Sequence, residues 1–225
     1  MSRSVPGTAS PPADEEAFVR LFGPKYPEGV AERVPPGQRL VKTWPVLHYG
    51  PIPTFDEAEW DFEVSGLVEN PYRLTYAELK ALGPQDVGAD MHCVTGWSTL
   101  DNTWTGVPFR LLAERAGVKP EAKWVIAHCE YGYTSDLSLE AMMEDDVLVA
   151  WAHDGQDLTP EHGFPLRLVV PQRYAWKSAK WLRGLELTAH NTRGFWEVRG
   201  YHIHADPWRE ERYSYQEGRG AELEP

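Results

Sequence analysis

The feature that most constrains this chain is the shortness of its apolar runs. Residues 124–129, 147–151, 166–170 and 181–188 are largely apolar, rich in Val, Leu and Trp, and each stops within a few residues. Runs of that length, closed by turn signals such as Asp154-Gly155, predict buried strands rather than helices. Earlier, residues 60–64 alternate aromatic and β-branched side chains with charges, and Gly66 and Asn70-Pro71 follow. That pattern predicts a half-buried strand and a turn.

Helices are few and short. Thr75 with Glu78 three residues on is a capping box for one that ends near Gly83. Pro108 near a start and Gly117 just past an end bracket a second, with Leu111, Leu112 and Ala116 on one side. Residues 138–143 predict a third. Strands outnumber helices and do not alternate with them regularly, so the fold class is α+β, with a mixed β-sheet, rather than doubly wound. No internal repeat and no Gly-rich phosphate loop is visible.

The 225 residues are 42% hydrophobic, enough for a sizeable core. Breakers at Pro11-Pro12 and Pro35-Pro36-Gly37 make residues 1–43 an extended arm; residues 44–209 carry the domain, and the charged residues 210–225 form a tail expected to fray. A net charge of −12 opposes binding to nucleic acid or anionic lipid. With no apolar run near the ~20 residues of a membrane span and no export signal at the start, a cytoplasmic location is expected.

Chemistry centres on Asp90-Met91-His92-Cys93-Val94-Thr95-Gly96-Trp97-Ser98, where a lone thiolate ending an apolar strand suits a soft metal. Cys129 is the only other cysteine, so no closed tetrahedral zinc site can be built from cysteines. Any metal at Cys93 needs further ligands, from a cofactor among other sources. The plainer readings are a buried structural thiol and a Cys93–Cys129 bridge, the latter less suited to a reducing compartment. His202 and His204, two residues apart with His190 upstream, share one face of any strand there and more often make ordinary hydrogen bonds than a metal site.

The run Cys93-Val94-Thr95-Gly96-Trp97-Ser98, the later Trp104-Thr105-Gly106-Val107-Pro108, His162-Gly163-Phe164-Pro165-Leu166-Arg167-Leu168-Val169-Val170-Pro171 and Lys177-Ser178-Ala179-Lys180-Trp181-Leu182 together resemble the molybdopterin-binding domain of the sulfite oxidase family. They are most similar to its single-domain branch, which contains the bacterial methionine sulfoxide reductase catalytic subunit. The resemblance covers residues 44–208 and implies a barrel-like core with short helices. It also implies a molybdenum–molybdopterin cofactor, with Cys93 as the single protein ligand to the metal and the pterin dithiolene supplying two more sulfurs.

By the same resemblance His162, Arg167, Ser178, Ala179 and Lys180 hold the cofactor, Arg167 and Lys180 giving charge-assisted bonds to its phosphate. His48, where relatives carry an asparagine, is expected to touch it, with Tyr49 close by, and Cys129 falls at another contact position. In the single-domain reductase an asparagine stands at the place of His162; a histidine can still donate. Trp97, Trp104, Tyr131 and Tyr133 are candidates for a substrate wall.

The implied reaction is two-electron oxygen-atom transfer on a small molecule. Without haem-attachment or iron–sulfur cysteines, electrons must be carried by a separate partner chain. The uncharged residues after Cys93 favour a neutral S-oxide or N-oxide; sulfite is the alternative should Arg173 or Arg183 reach the pocket. Two further readings compete, a noncatalytic module whose acidic surface docks a protein, and a zinc hydrolase using Cys93 and the histidines of residues 190–204. With no room for the family's immunoglobulin-like dimerisation module after the core, a monomer or weak dimer is expected.

Overall fold

The computed structural model describes residues 26–218. Residues 26–33 belong to a unit of their own, with a single 3-10 turn at Ala31–Arg33, and a second unit begins at Val34. The rest of the expected arm, residues 1–25, and the end of the expected tail, residues 219–225, lie outside the described residues.

The second unit contains eleven strands: β1 (Arg39–Leu40), β2 (Phe62–Gly66), β3 (Tyr72–Leu74), β4 (Gln85–Cys93), β5 (Trp97–Pro108), β6 (Trp124–Cys129), β7 (Thr134–Ser138), β8 (Leu148–His153), β9 (Gln156–Asp157), β10 (Arg167–Val169) and β11 (Leu182–Thr188). Three short helices join them, α1 (Tyr76–Lys80), α2 (Phe109–Ala116) and α3 (Leu139–Met142). The class is α+β, with both sheets mixed. One runs β1-β5-β8-β10 with β4 and β9 added at β5 and β8, and the other runs β3-β2-β11-β6-β7. The expected barrel-like core takes the form of two sheets; among the described residues neither closes on itself.

Local chemistry explains the ends of the helices. Thr75 accepts the Glu78 amide and Glu78 accepts the Thr75 amide, completing the capping box at α1. Gly117, left-handed at φ 67°, ends α2. The buried face of α2, Phe109, Leu112 and Ala116, packs with Phe62 and Val64 of β2, Leu185 of β11 and Val149 of β8, so one core draws on both sheets. Each such large side chain contributes roughly 1.5–3 kcal/mol by leaving water.

The β4–β5 hairpin places Cys93. Its strands pair antiparallel from Gln85↔Gly106 to Cys93↔Trp97, with a bulge between Ala89 and Met91. Asp101, Asn102 and Gly106 are residue types that favour turns, yet they lie inside a single long strand. Asp101 absorbs a left-handed φ of 59° there, and Gly106 is required by contact, since a Cβ would fall 2.1 Å from the Val149 carbonyl.

Residues 34–43 of the expected arm and described residues of the expected tail belong to this unit. Within the expected arm, β1 pairs in parallel with β5, and Gln38 and Val34 are buried. Within the expected tail, Glu217 accepts from Arg193 and from the Ile203 amide, and Tyr213 bridges to Tyr201. The folded unit therefore extends past both ends of residues 44–209.

A buried ionic cluster ties three parts of the chain together. Lys177, 1% exposed, donates from Nζ to the Asp136 carbonyl (2.5 Å), to Asp136 Oδ1 (3.2 Å) and to Glu197 Oε1 (2.7 Å), while Asn191 donates to Asp136 Oδ2. Burial pushes the Glu197 carboxyl up to about 8, against the pull of Lys177. Burial acts on Asp136 too, but the Lys177 charge and the hydrogen bonds outweigh it and hold that carboxyl below its ordinary value. Removing Lys177 leaves Asp136 buried and unpaired, so Lys177→Met should cost about 3–5 kcal/mol in urea unfolding. Folded Glu197 keeps a proton that the unfolded chain loses near 4.5, so its contribution is complete below that pH and is lost as pH rises through about 8. Glu197→Gln, which copies the protonated form, should flatten the fall in urea midpoint over that window.

Candidate functional site

The end of β4, the turn after β6, the loop before β10 and the loop before β11 converge on a cavity of about 530 Å³. Cys93 lies at one part of its wall, 6% exposed, with Sγ 3.2 Å from the Thr95 hydroxyl. Burial raises the Cys93 thiol pKa, with Thr95 opposing the shift. A bare thiolate is costly there, and a bound metal cation would supply the charge that offsets it.

A cationic corner lies elsewhere on the wall. Residues Pro160–His162 form a single turn that Gly163 closes, and Arg167 follows at the start of β10. The Arg167 guanidinium donates to the His162 carbonyl (3.0 Å) and the Ser178 carbonyl (2.9 Å), and it faces the rings of Trp44 and Trp104 at 5.0 and 5.3 Å. Lys180 Nζ donates to the carbonyls of Leu47 and Glu161, each at 2.7 Å. Among the described residues neither cation has a carboxylate ion pair. Burial lowers Arg167 to about 9; burial and the Arg167 charge lower Lys180 to about 7. Two desolvated cations that, among the described residues, make no carboxylate ion pair suit a phosphate-bearing ligand.

His162 stacks on Trp44 with centroids 4.1 Å apart and rings 6° from parallel. Its Nδ1 lies 3.2 Å from the Thr159 hydroxyl, and burial, with the Arg167 and Lys180 charges, depresses its pKa. Nε2 of His162 and the indole nitrogens of Trp97 and Trp176, all on residues lining the cavity, are buried without a hydrogen-bond partner. Buried polar groups are rarely left so. A ligand rich in ring nitrogens and oxygens would satisfy them.

Of the other expected contacts, His48 and Tyr49 line the cavity from an extended segment, with His48 Nδ1 3.0 Å from the Gly50 carbonyl and Tyr49 against Phe195 at 4.8 Å. Ser178 and Ala179 also line it, but the polar groups of Ser178 are used internally: its amide donates to the Ala175 carbonyl, and its hydroxyl accepts from the Val170 amide. Cys129 does not line the cavity; it packs in the core at the end of β6, and burial raises its thiol pKa. The two cysteines are both free thiols, so the Cys93–Cys129 bridge is not formed.

Trp97, Tyr131 and Tyr133 line the cavity, whereas Trp104 is fully buried behind Trp44 and Arg167. Among the described residues neither Arg173 nor Arg183 lines the wall; Arg183 pairs with Asp61 and with Glu130, a carboxylate that does line it. Phe195, Trp196 and Tyr201 complete an aromatic rim that the sequence reading missed, since these residues follow the last strand in an irregular segment. His202 Nδ1 accepts the His204 and Ala205 amides, and among the described residues no cluster of three or more His, Cys, Asp or Glu could hold a metal. That argues against the zinc hydrolase reading.

A family model described as the oxidoreductase molybdopterin binding domain matches residues 49–196. The chain belongs to that family. It is a molybdopterin-dependent oxidoreductase of the sulfite oxidase type. An uncharacterized oxidoreductase of Bacillus subtilis, YuiH, is 47% identical over 195 residues, spanning 86% of this chain and 98% of the relative. A protein of Azospira oryzae with the provisional name protein-methionine-sulfoxide reductase subunit YedZ1 is 31% identical over 182 residues, 80% of this chain and 66% of its own length. The chain spans only 24% of a tomato NADH nitrate reductase, at 27% identity over 226 residues. The sulfane dehydrogenase SoxCD of Paracoccus pantotrophus shares the fold, with a TM-score of 0.55 and 22% identity over 81% of this chain and 60% of that one.

The cavity of this oxidoreductase fits the group its family binds: a thiol for the metal, two unpaired cations for the phosphate, and orphaned ring nitrogens for the pterin. The cationic corner can be tested without cofactor. Sulfate, which keeps its charge near neutrality, should bind more weakly as pH rises through about 7 and Lys180 loses its proton. Calorimetric titration should show that dependence vanish in Lys180→Gln.

Proposed function

We propose that the domain transfers an oxygen atom, with two electrons, between its molybdenum cofactor and a small neutral S-oxide or N-oxide, in the reducing direction. The observation that carries this is the division of the cavity wall: its unpaired cations, Arg167 and Lys180, belong to the corner suited to a phosphate, while aromatic side chains rim the remainder. When bound, the cofactor supplies the two-electron redox chemistry.

In this reading the residues divide the remaining work. Cys93 gives the metal its single protein sulfur, and a lone thiolate leaves other coordination positions open to substrate and solvent oxygen. Arg167 and Lys180 anchor the phosphate, and His162 Nε2 donates to the pterin as the neutral ring that its depressed pKa favours. His48 and Tyr49 cover the cofactor from the extended segment, and Ala179 packs beside it. The Ser178 carbonyl acts indirectly, by orienting Arg167. Tyr131, Tyr133, Phe195 and Trp196 offer a neutral substrate an apolar approach and keep bulk water out. Sulfite would bring a second anion to a wall whose unpaired cations, Arg167 and Lys180, are engaged by the cofactor. Electrons come from a separate protein. Among the described residues no helix is long and apolar enough to cross a membrane.

Protein made in a host that synthesises the pterin should carry near-stoichiometric molybdenum by elemental analysis and reduce sulfoxides or N-oxides faster than it oxidises sulfite. Faster sulfite oxidation would reverse the assignment. Cys93→Ala should keep the fold by circular dichroism and lose turnover by more than about 100-fold, beyond the cost of losing an outer partner of a metal site.

A further inference from the structure

Two side chains that hold carbonyls of the cysteine loop come from outside the span matched by the family model, residues 49–196. From the N-terminal side, Gln38, 5% exposed, donates from Nε2 to the Cys93 carbonyl at 3.1 Å. Its Oε1 accepts from the Ser98 hydroxyl at 3.3 Å, and that hydroxyl also meets His92 Nδ1 at 2.8 Å. The adjoining Arg39 amide donates to the Gly96 carbonyl at 3.1 Å.

From the C-terminal side, Arg212 donates through Nη1 to the Val94 carbonyl, the next one along. Its Nη2 lies 3.5 Å from the Pro36 carbonyl, and its guanidinium sits 5.0 Å from the Tyr174 ring centroid. The Tyr174–Ala175 backbone is tied in turn to the neighbourhood of the cysteine, since the Ala175 amide donates to the His92 carbonyl at 2.7 Å. Two successive carbonyls, on Cys93 and Val94, are thus each held by a side-chain donor, and the two donors come from opposite ends of the folded unit. The turn has its own closing bond, from the Gly96 amide to the Cys93 carbonyl at 2.9 Å, and the two side chains add to it at the backbone that carries the thiol.

We propose that Gln38 and Arg212 are positioning residues that fix the Cys93 loop in the geometry required of a metal ligand. The proposal rests on the reading of Cys93 as the molybdenum ligand. Neither residue touches the metal; both act through the backbone of the residue that does, as outer partners orient the ligands of metal sites.

The test uses the molybdenum-loaded, full-length chain with Gln38→Glu, Arg212→Gln and Arg212→Lys. Gln38→Glu keeps shape and replaces the amide donor with a carboxylate facing the Cys93 carbonyl. Two readouts are taken beside a thermal melt: the molybdenum EPR spectrum after partial reduction, and hydrogen exchange at the amides of Val94, Thr95 and Gly96. We expect Gln38→Glu and Arg212→Gln to melt cooperatively, to show shifted and broadened EPR signals, and to exchange those amides about tenfold faster or more. Arg212→Lys, which restores one charged donor, should recover part of the wild-type spectrum. Wild-type spectra and exchange in both Gln38→Glu and Arg212→Gln would overturn the proposal. If Arg212→Gln does not fold, Gln38→Glu and Arg212→Lys decide by the same criteria. A wild-type EPR spectrum in Cys93→Ser would instead bring down the assignment of the ligand, while amide exchange in the Gln38 and Arg212 variants still reports whether the grip exists.

Discussion

The arrangement depends first on one buried charge. Lys177 is enclosed by the Asp136 carboxylate, the Glu197 carboxyl and the Trp176 ring, whose centroid lies 4.7 Å from Nζ. Its neighbours in sequence, Trp176 and Ser178, stand on the cavity wall, as does Trp196 beside Glu197. Desolvating an ammonium group costs several kcal/mol, so this site tolerates only arrangements in which all its hydrogen bonds are made. The three segments that meet there, β7, the loop before β11 and the turn at Glu197–Arg199, are held in one relation to each other, and the aromatic part of the wall inherits that relation. A purely apolar contact at the same place would permit sliding that the three hydrogen bonds of a buried ammonium do not.

Much of the fold is legible in the sequence because its signals are local. The Thr75–Glu78 capping box, Gly117 after α2, and the short apolar runs that become β6, β8, β10 and β11 each depend on residues a few positions apart. β5 was harder. Asp101-Asn102 and Gly106 are turn-forming residues, and the pairing that keeps them in a strand comes from β4 on one side and β8 on the other, contacts that no local pattern encodes. The same holds for β1 and for Gln38, which lie in a Pro-rich stretch with little apolar content and gain their places only against the β5 hairpin.

The candidate site divides in a similar way. Cys93, His162, Arg167 and Lys180 stand in dense motifs, and all four line the cavity. Cys129 stands at the end of a well-formed strand, but its side chain falls on the core face, and strand periodicity alone does not tell which face meets a cavity. Tyr201, Phe195 and Trp196 are irregular in secondary structure and bear no motif, so their convergence on the rim is a property of the tertiary fold alone.

The place of Arg212 has a consequence for the order in which the site is built. Chains are synthesised from the N-terminus, and domains fold as units once their parts are available. Cys93, the cationic corner and the aromatic rim all precede Arg212 in the chain, yet the Val94 carbonyl lacks its partner until that residue has emerged. Until then the cysteine loop of a nascent chain has its Gln38 contact and lacks its Arg212 one. Completion of the loop is a late event in biosynthesis, set by a residue far from the motifs that define the site.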